Sequence, residues 1–124
     1  MKLHYLLAVG LGGAVGSGFR YMVARLLTET PAIATLSVNI VGSFLLGIVV
    51  AYFIKYPEKH TLQLLLGTGF CGGFTTMSTV AFDFFKLIDS EQYIYLAAYS
   101  SATLIGGILA ALFGFLWMEK KVTK

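Results

Sequence analysis

The stretch Gly67-Thr68-Gly69-Phe70-Cys71-Gly72-Gly73-Phe74-Thr75-Thr76-Met77-Ser78-Thr79 lies in the middle of an apolar run, and its glycines and hydroxyls make a continuous helix there weak. Adjacent Gly72 and Gly73, followed by β-branched Thr75 and Thr76, favour local unwinding. At membrane depth, unwound backbone persists only where it is buried in protein or lines a cavity or ion site. Carbonyls freed in this way are hard oxygen ligands for cations. The competing reading is an unbroken, glycine-bearing helix whose hydroxyls bond to carbonyls four residues back.

Outward from this stretch the apolar run extends over 61–88, and three runs of similar length accompany it at 3–27, 33–54 and 93–118. Each is near the roughly 20 residues a helix needs to cross a hydrocarbon core about 30 Å thick. The connections are polar and helix-breaking: Thr28-Glu29-Thr30-Pro31, Lys55-Tyr56-Pro57-Glu58-Lys59-His60 and Asp89-Ser90-Glu91-Gln92. The predicted fold is all-α and integral to the membrane, one domain over 1–124 with four transmembrane helices, the third broken at mid-membrane. Composition agrees, with 57% hydrophobic and 12% charged residues among 124, and a mean hydropathy of +0.81 excludes a water-soluble domain. The first run is longer than the apolar core of a signal peptide and has no clear small-residue cleavage site, so it reads as a span.

The net charge of +3 comes from basic residues at span ends, where they meet lipid headgroups, and does not imply nucleic acid. Four spans put both termini and the second loop on one side. That side carries six lysines (Lys2, Lys55, Lys59, Lys120, Lys121, Lys124), against Arg20, Arg25 and Lys86 on the other, a six-to-three bias. The expectation is a multi-pass protein of the cell (plasma) membrane with cytoplasmic termini, inserted in one preferred direction.

Small residues at four-residue spacing (Gly10, Ala14, Gly18; Gly12, Gly16; Ala102, Gly106, Ala110, Gly114) predict close helix packing. Asn39 lies inside the second span with Ser43 and Gly47 on the same face; its amide is either interhelical glue or a pore-lining donor. Arg20 either reaches to headgroups or places positive charge at the mouth of an anion path. Asp83 is expected to pair with Lys86 three residues on. His4 and His60 are read as interfacial side chains and Cys71 as a packing residue. No catalytic triad, nucleotide loop or metal cluster is present in the sequence, so no enzymatic chemistry is expected.

Along its whole length the chain resembles the fluoride channel family (Fluc, also called CrcB). The resemblance rests on Gly12-Gly13-Ala14-Val15-Gly16 leading to Arg20-Tyr21, on Thr35-Leu36-Ser37-Val38-Asn39 with Gly42-Ser43-Phe44, and most specifically on Gly69-Phe70-Cys71-Gly72-Gly73-Phe74-Thr75-Thr76-x-Ser78-Thr79. It implies a dimer of antiparallel subunits with two narrow fluoride pores, serving passive export of fluoride. A structural Na+ would lie at the centre, held by backbone oxygens of Gly72 and Thr75 from both subunits. Asn39 would line the pore, Ser78 and Thr79 would offer hydroxyls along it, and Arg20 would attract the anion at the vestibule.

Two pore positions depart from the family, whose members usually carry phenylalanines that present positive ring edges to fluoride. Here those positions are Met77 and Val80. Together with the charge bias, this favours a heterodimer with a paralogous subunit over a homodimer. The alternatives are a non-conducting assembly partner and a small multidrug-type transporter. The latter relies on a glutamate deep in the first span, where this chain has none.

Overall fold

Four helices long and apolar enough to cross a membrane make up the computed structural model, which describes residues 2–124. The first, α1, runs Leu3–Leu26 and ends one residue short of the expected boundary. Pro31 opens α2 (Pro31–Lys55), where its missing N–H costs no hydrogen bond, so this helix starts two residues earlier than its apolar pattern indicates. It ends at Lys55 because Pro57 biases Tyr56 away from helical geometry.

The third span is assembled from pieces. A 3-10 turn (Pro57–Lys59) leads into α3 (His60–Gln63), a π-helical stretch (Leu64–Cys71) and the short α4 (Gly72–Phe74); after the break, α5 covers Met77–Asp89. The break falls at Thr75 and Thr76, both extended, and not at the glycine pair, which stays helical. Gly72 and Gly73 therefore do not unwind the helix themselves. Gly73 serves close approach instead, since a Cβ there would strike the Gly13 backbone at 2.9 Å. The last helix, α6 (Tyr93–Thr123), continues five residues past the expected end at Met118.

Contacts sort the helices into two parallel pairs. Gly12 and Gly16 of α1 meet the third span so closely that a Cβ on either would come within 2.9 Å of a backbone nitrogen, that of Phe70 or Phe74. Gly47 of α2 abuts Ala111 and Phe115, while Gly114 of α6 abuts Phe44. These are the tight interfaces the spacing predicts. Gly10 and Gly18 differ, with no neighbouring atom within 4 Å of a would-be Cβ. They lie on the open side of the chain, among exposed apolar residues such as Leu7, Leu11 and Val15.

Candidate functional site

Thr76 organises the site. Its φ of −152° and ψ of 126° are those of a strand, so its N–H and C=O point sideways and need partners that a helix would have supplied. Asn39 supplies both. Its Nδ2 donates to the Thr76 carbonyl at 2.9 Å, and the Thr76 N–H donates to Asn39 Oδ1 at 2.8 Å. The amide thus pairs with the broken backbone as a neighbouring strand would. Gly42, three residues on, lets the break lie against α2, because a Cβ there would run into the Thr75 methyl.

The Thr76 side chain caps α5. Its Oγ1 accepts from the Thr79 N–H at 3.3 Å and lies 3.2 Å from Ser78 Oγ and 3.1 Å from Thr79 Oγ1. Three hydroxyls therefore gather at the positive end of a helix of 13 residues. Thr75, by contrast, spends its hydroxyl hydrogen on the Cys71 carbonyl at 2.8 Å.

Two cavities meet at Thr76. One, of about 300 Å³, is lined by Arg20, Thr35, Val38, Thr76 and Thr79 among others. The other, of about 510 Å³, is bordered by Asn39, Ser43, Gly72, Thr75, Met77 and Thr103. Arg20 and Thr79 are thus brought together on one side of the bridge, and Asn39, Gly72, Thr75 and Met77 on the other. Ser78 belongs to the hydroxyl cluster but borders neither cavity. Val80 borders neither as well, being fully buried at 1% exposure, whereas Met77 is 69% exposed. The two positions expected to act as a pair therefore stand in opposite environments.

Residues to which sequence reasoning gave no site role also belong here. The Thr103 hydroxyl is buried without a hydrogen-bond partner among the described residues, and Thr103 borders the larger cavity. Thr35 and Thr76 are buried polar residues that line the cavity Arg20 also borders. For Thr103 the available signal was a hydroxyl four residues before Gly107 in an otherwise apolar helix.

The expected Asp83–Lys86 pair does not form. Asp83 is buried, and its Oδ2 accepts from the Tyr99 hydroxyl at 2.9 Å. The short carboxylate turns inward to α6, while the longer Lys86 side chain lies over the Phe82 ring, 4.5 Å from its centroid. A single phenol hydrogen bond is modest compensation for a buried carboxylate.

The break also frees oxygen ligands. A helical Gly72 carbonyl would accept from the Thr76 N–H, which here goes to Asn39. Gly72 is exposed, and no neighbouring atom lies within 4 Å of where a Cβ would stand. Among the described residues no group of three His, Cys, Asp or Glu converges, so a cation here would be held by neutral oxygens. That donor set suits a hard ion, and Gly72 and Thr75 fit the role as far as one chain can supply it.

Comparison with known proteins places the chain in a family. The family model described as CrcB-like protein, Camphor Resistance (CrcB), matches residues 7–115. The chain is 43% identical over 120 residues to the fluoride-specific ion channel FluC 2 of Halalkalibacterium halodurans, covering 96% of this chain and 89% of the relative. It is 39% identical over 120 residues to the fluoride-specific ion channel FluC of Leptospira interrogans, covering 93% and 94% of the two chains. Against the FluC of Chlorobium chlorochromatii the identity is 37% over 124 residues, with 94% and 96% covered.

Proposed function

We propose, because this chain belongs to the CrcB-like family, that it is a subunit of a fluoride-specific ion channel, a passive pathway and not an enzyme. The observation that carries this reading is the pair of cavities, each bordered by a few amide, hydroxyl or guanidinium groups, that meet at the Asn39–Thr76 bridge inside an apolar bundle. Fluoride holds its hydration shell strongly, so a pathway must offer hydrogen-bond donors in place of water. Arg20 draws the anion to the smaller cavity, where the Thr79 hydroxyl stands, whereas the Thr35 hydroxyl there donates to the Pro31 carbonyl at 3.1 Å. In the larger one, Asn39 has spent one of its two amide hydrogens on Thr76 and keeps the second, and the Thr103 hydroxyl is unpartnered. Ser78 supports this path through the Thr76 hydroxyl cluster. The multidrug-type and non-conducting alternatives are not favoured, since the relatives are named as fluoride channels.

The working unit is an antiparallel dimer in the cell membrane, surrounded by lipid. Its support is the open cavity on an apolar flank, where Leu104 and Ile108 border the same space as the polar Asn39 and Thr75. A second subunit would close that space and bring two more backbone oxygens to those of Gly72 and Thr75. A central Na+ would then be held by the Gly72 and Thr75 oxygens of both subunits, contributing a fixed positive field to the anion paths. The six-to-three lysine and arginine bias supports cytoplasmic termini and one direction of insertion, hence a paralogous partner inserted the other way. Met77 and Val80 in place of aromatic residues support the same pairing, with this chain's own phenylalanine positions supplying no ring edge.

Growth of fluoride-sensitive cells tests this. Cells expressing the chain together with a second, oppositely inserted family member should grow in fluoride, and cells with this chain alone should not. Growth with this chain alone would overturn the heterodimer, and failure in both would count against the channel.

A further inference from the structure

We propose that the end of the bundle formed by Trp117, Lys120, Lys121 and Lys124, with Lys55 beside it, is a docking surface for anionic phospholipid headgroups. α6 has 31 residues, so it is about 46 Å long and exceeds a hydrocarbon core of about 30 Å. Its excess length is at the C-terminal end, where Trp117 stands at the level that amphipathic aromatic rings occupy in a membrane interface.

The last two turns have one cationic face. Lys120, Lys121 and Lys124 follow Trp117 at three, four and seven residues, which places all four side chains on one stripe of the helix. Glu119, two residues from Trp117, falls on the opposite side and does not neutralise that stripe. The Lys121 Nζ rests 4.0 Å from the Trp117 ring centroid, so one ammonium is fixed at the interface by a cation–π contact. Trp117, Lys120, Lys121, Thr123 and Lys124 border an open cleft of about 470 Å³, large enough for a phosphodiester headgroup.

The neighbouring helix extends the surface. α2 runs parallel to α6, with Gly47 level with Ala111 and Phe115, so Lys55, eight residues further on, reaches roughly the depth of residues 119–123. In the following turn the Lys59 ammonium donates to the Tyr52 hydroxyl at 3.0 Å and stands 5.1 Å from the Tyr56 ring centroid. Six lysines and two glutamates, Glu58 and Glu119, occupy this end of the bundle. A surface with this excess of ammonium groups at headgroup depth selects lipids of net negative charge over zwitterionic ones.

Trp117 is the single tryptophan, so its fluorescence reports this site alone. The full chain is reconstituted into phosphatidylcholine vesicles containing equal, low fractions of either brominated phosphatidylglycerol or brominated phosphatidylcholine. Quenching by the brominated anionic lipid should exceed that by the neutral one about twofold. The excess should shrink as salt is raised and vanish in K120Q/K121Q/K124Q, which retains Trp117. Unchanged quenching of that variant by the brominated neutral lipid verifies that α6 is still inserted; should it differ, the salt dependence of the unmodified chain decides. Equal quenching by the two lipids, or an excess insensitive to salt, would overturn the proposal.

Discussion

Asn39 of α2 and Thr76 of the break in the third span exchange two hydrogen bonds of 2.9 and 2.8 Å. One side chain thereby satisfies both backbone groups of a residue that has left the helical ladder, and it does so where the two cavities meet. Asn39→Ala leaves the Thr76 N–H and C=O without partners, at a cost of roughly 1–3 kcal/mol each where they are buried. Thermal unfolding in detergent should show the loss of stability, and fluoride flux should fall with it. Asn39→Asp keeps the acceptor for the Thr76 N–H but loses the donor and adds a negative charge, so flux should fall further than stability. Unchanged flux in both variants would remove Asn39 from the pathway.

Thr103 should separate flux from stability. Its hydroxyl is buried with no partner, so Thr103→Val removes an unsatisfied polar group while keeping the shape of the side chain. Unfolding should be unchanged or occur at higher temperature. Fluoride flux should nevertheless drop by about tenfold, the equivalent of one lost donor worth roughly 1.4 kcal/mol in the transition state. Undiminished flux would show that the hydroxyl only fills space.

The Asp83–Tyr99 contact predicts strong coupling between two substitutions. Tyr99→Phe removes the hydrogen bond to Asp83 and leaves a buried carboxylate alone, a change expected to cost about 3 kcal/mol. Asp83→Asn keeps an acceptor for the phenol and should cost less. The double variant Asp83→Leu with Tyr99→Phe should be more stable than additivity of its two single changes allows. A chemical-denaturation cycle on the four proteins reads the difference; additive effects would mean that the two side chains do not depend on each other.

Met77 and Val80 should respond differently to phenylalanine. Met77 is exposed beside the larger cavity and can be exchanged for a ring at little structural cost. Val80 is fully buried, so Val80→Phe overpacks the space between helices and should destabilise the chain by about 1–3 kcal/mol. Met77→Phe should therefore raise fluoride flux in the assembled channel, and Val80→Phe should lower the yield of folded protein. Comparable folding of the two variants would contradict the environments described.

The four spans were legible because membrane thickness sets a minimum apolar length, and the sequence meets it four times. Their ends moved by a few residues where Pro31 could start a helix early and where α6 projects beyond its last apolar residue. The break was legible from its glycines and hydroxyls, but Gly72 and Gly73 proved helical and the extended residues are the threonines after them. The reason is tertiary: Asn39, 37 positions earlier, accepts and donates for Thr76, a pairing that no local spacing encodes. Asp83 was misassigned because three-residue spacing to Lys86 says nothing of a phenol on another helix. Thr103 escaped notice because a hydroxyl in a membrane helix usually bonds back to a carbonyl, as Ser100 does to Leu96 at 2.7 Å, whereas the buried Thr103 hydroxyl makes no such bond among the described residues.

Efflux from liposomes loaded with fluoride and chloride tests the central claim most directly, with the chain reconstituted together with an oppositely inserted family member and an ionophore supplying the counter-current. The account predicts rapid loss of fluoride with chloride retained, and near-background loss when this chain is reconstituted by itself. Fluoride retained in the paired liposomes, or chloride leaving as fast as fluoride, would contradict it.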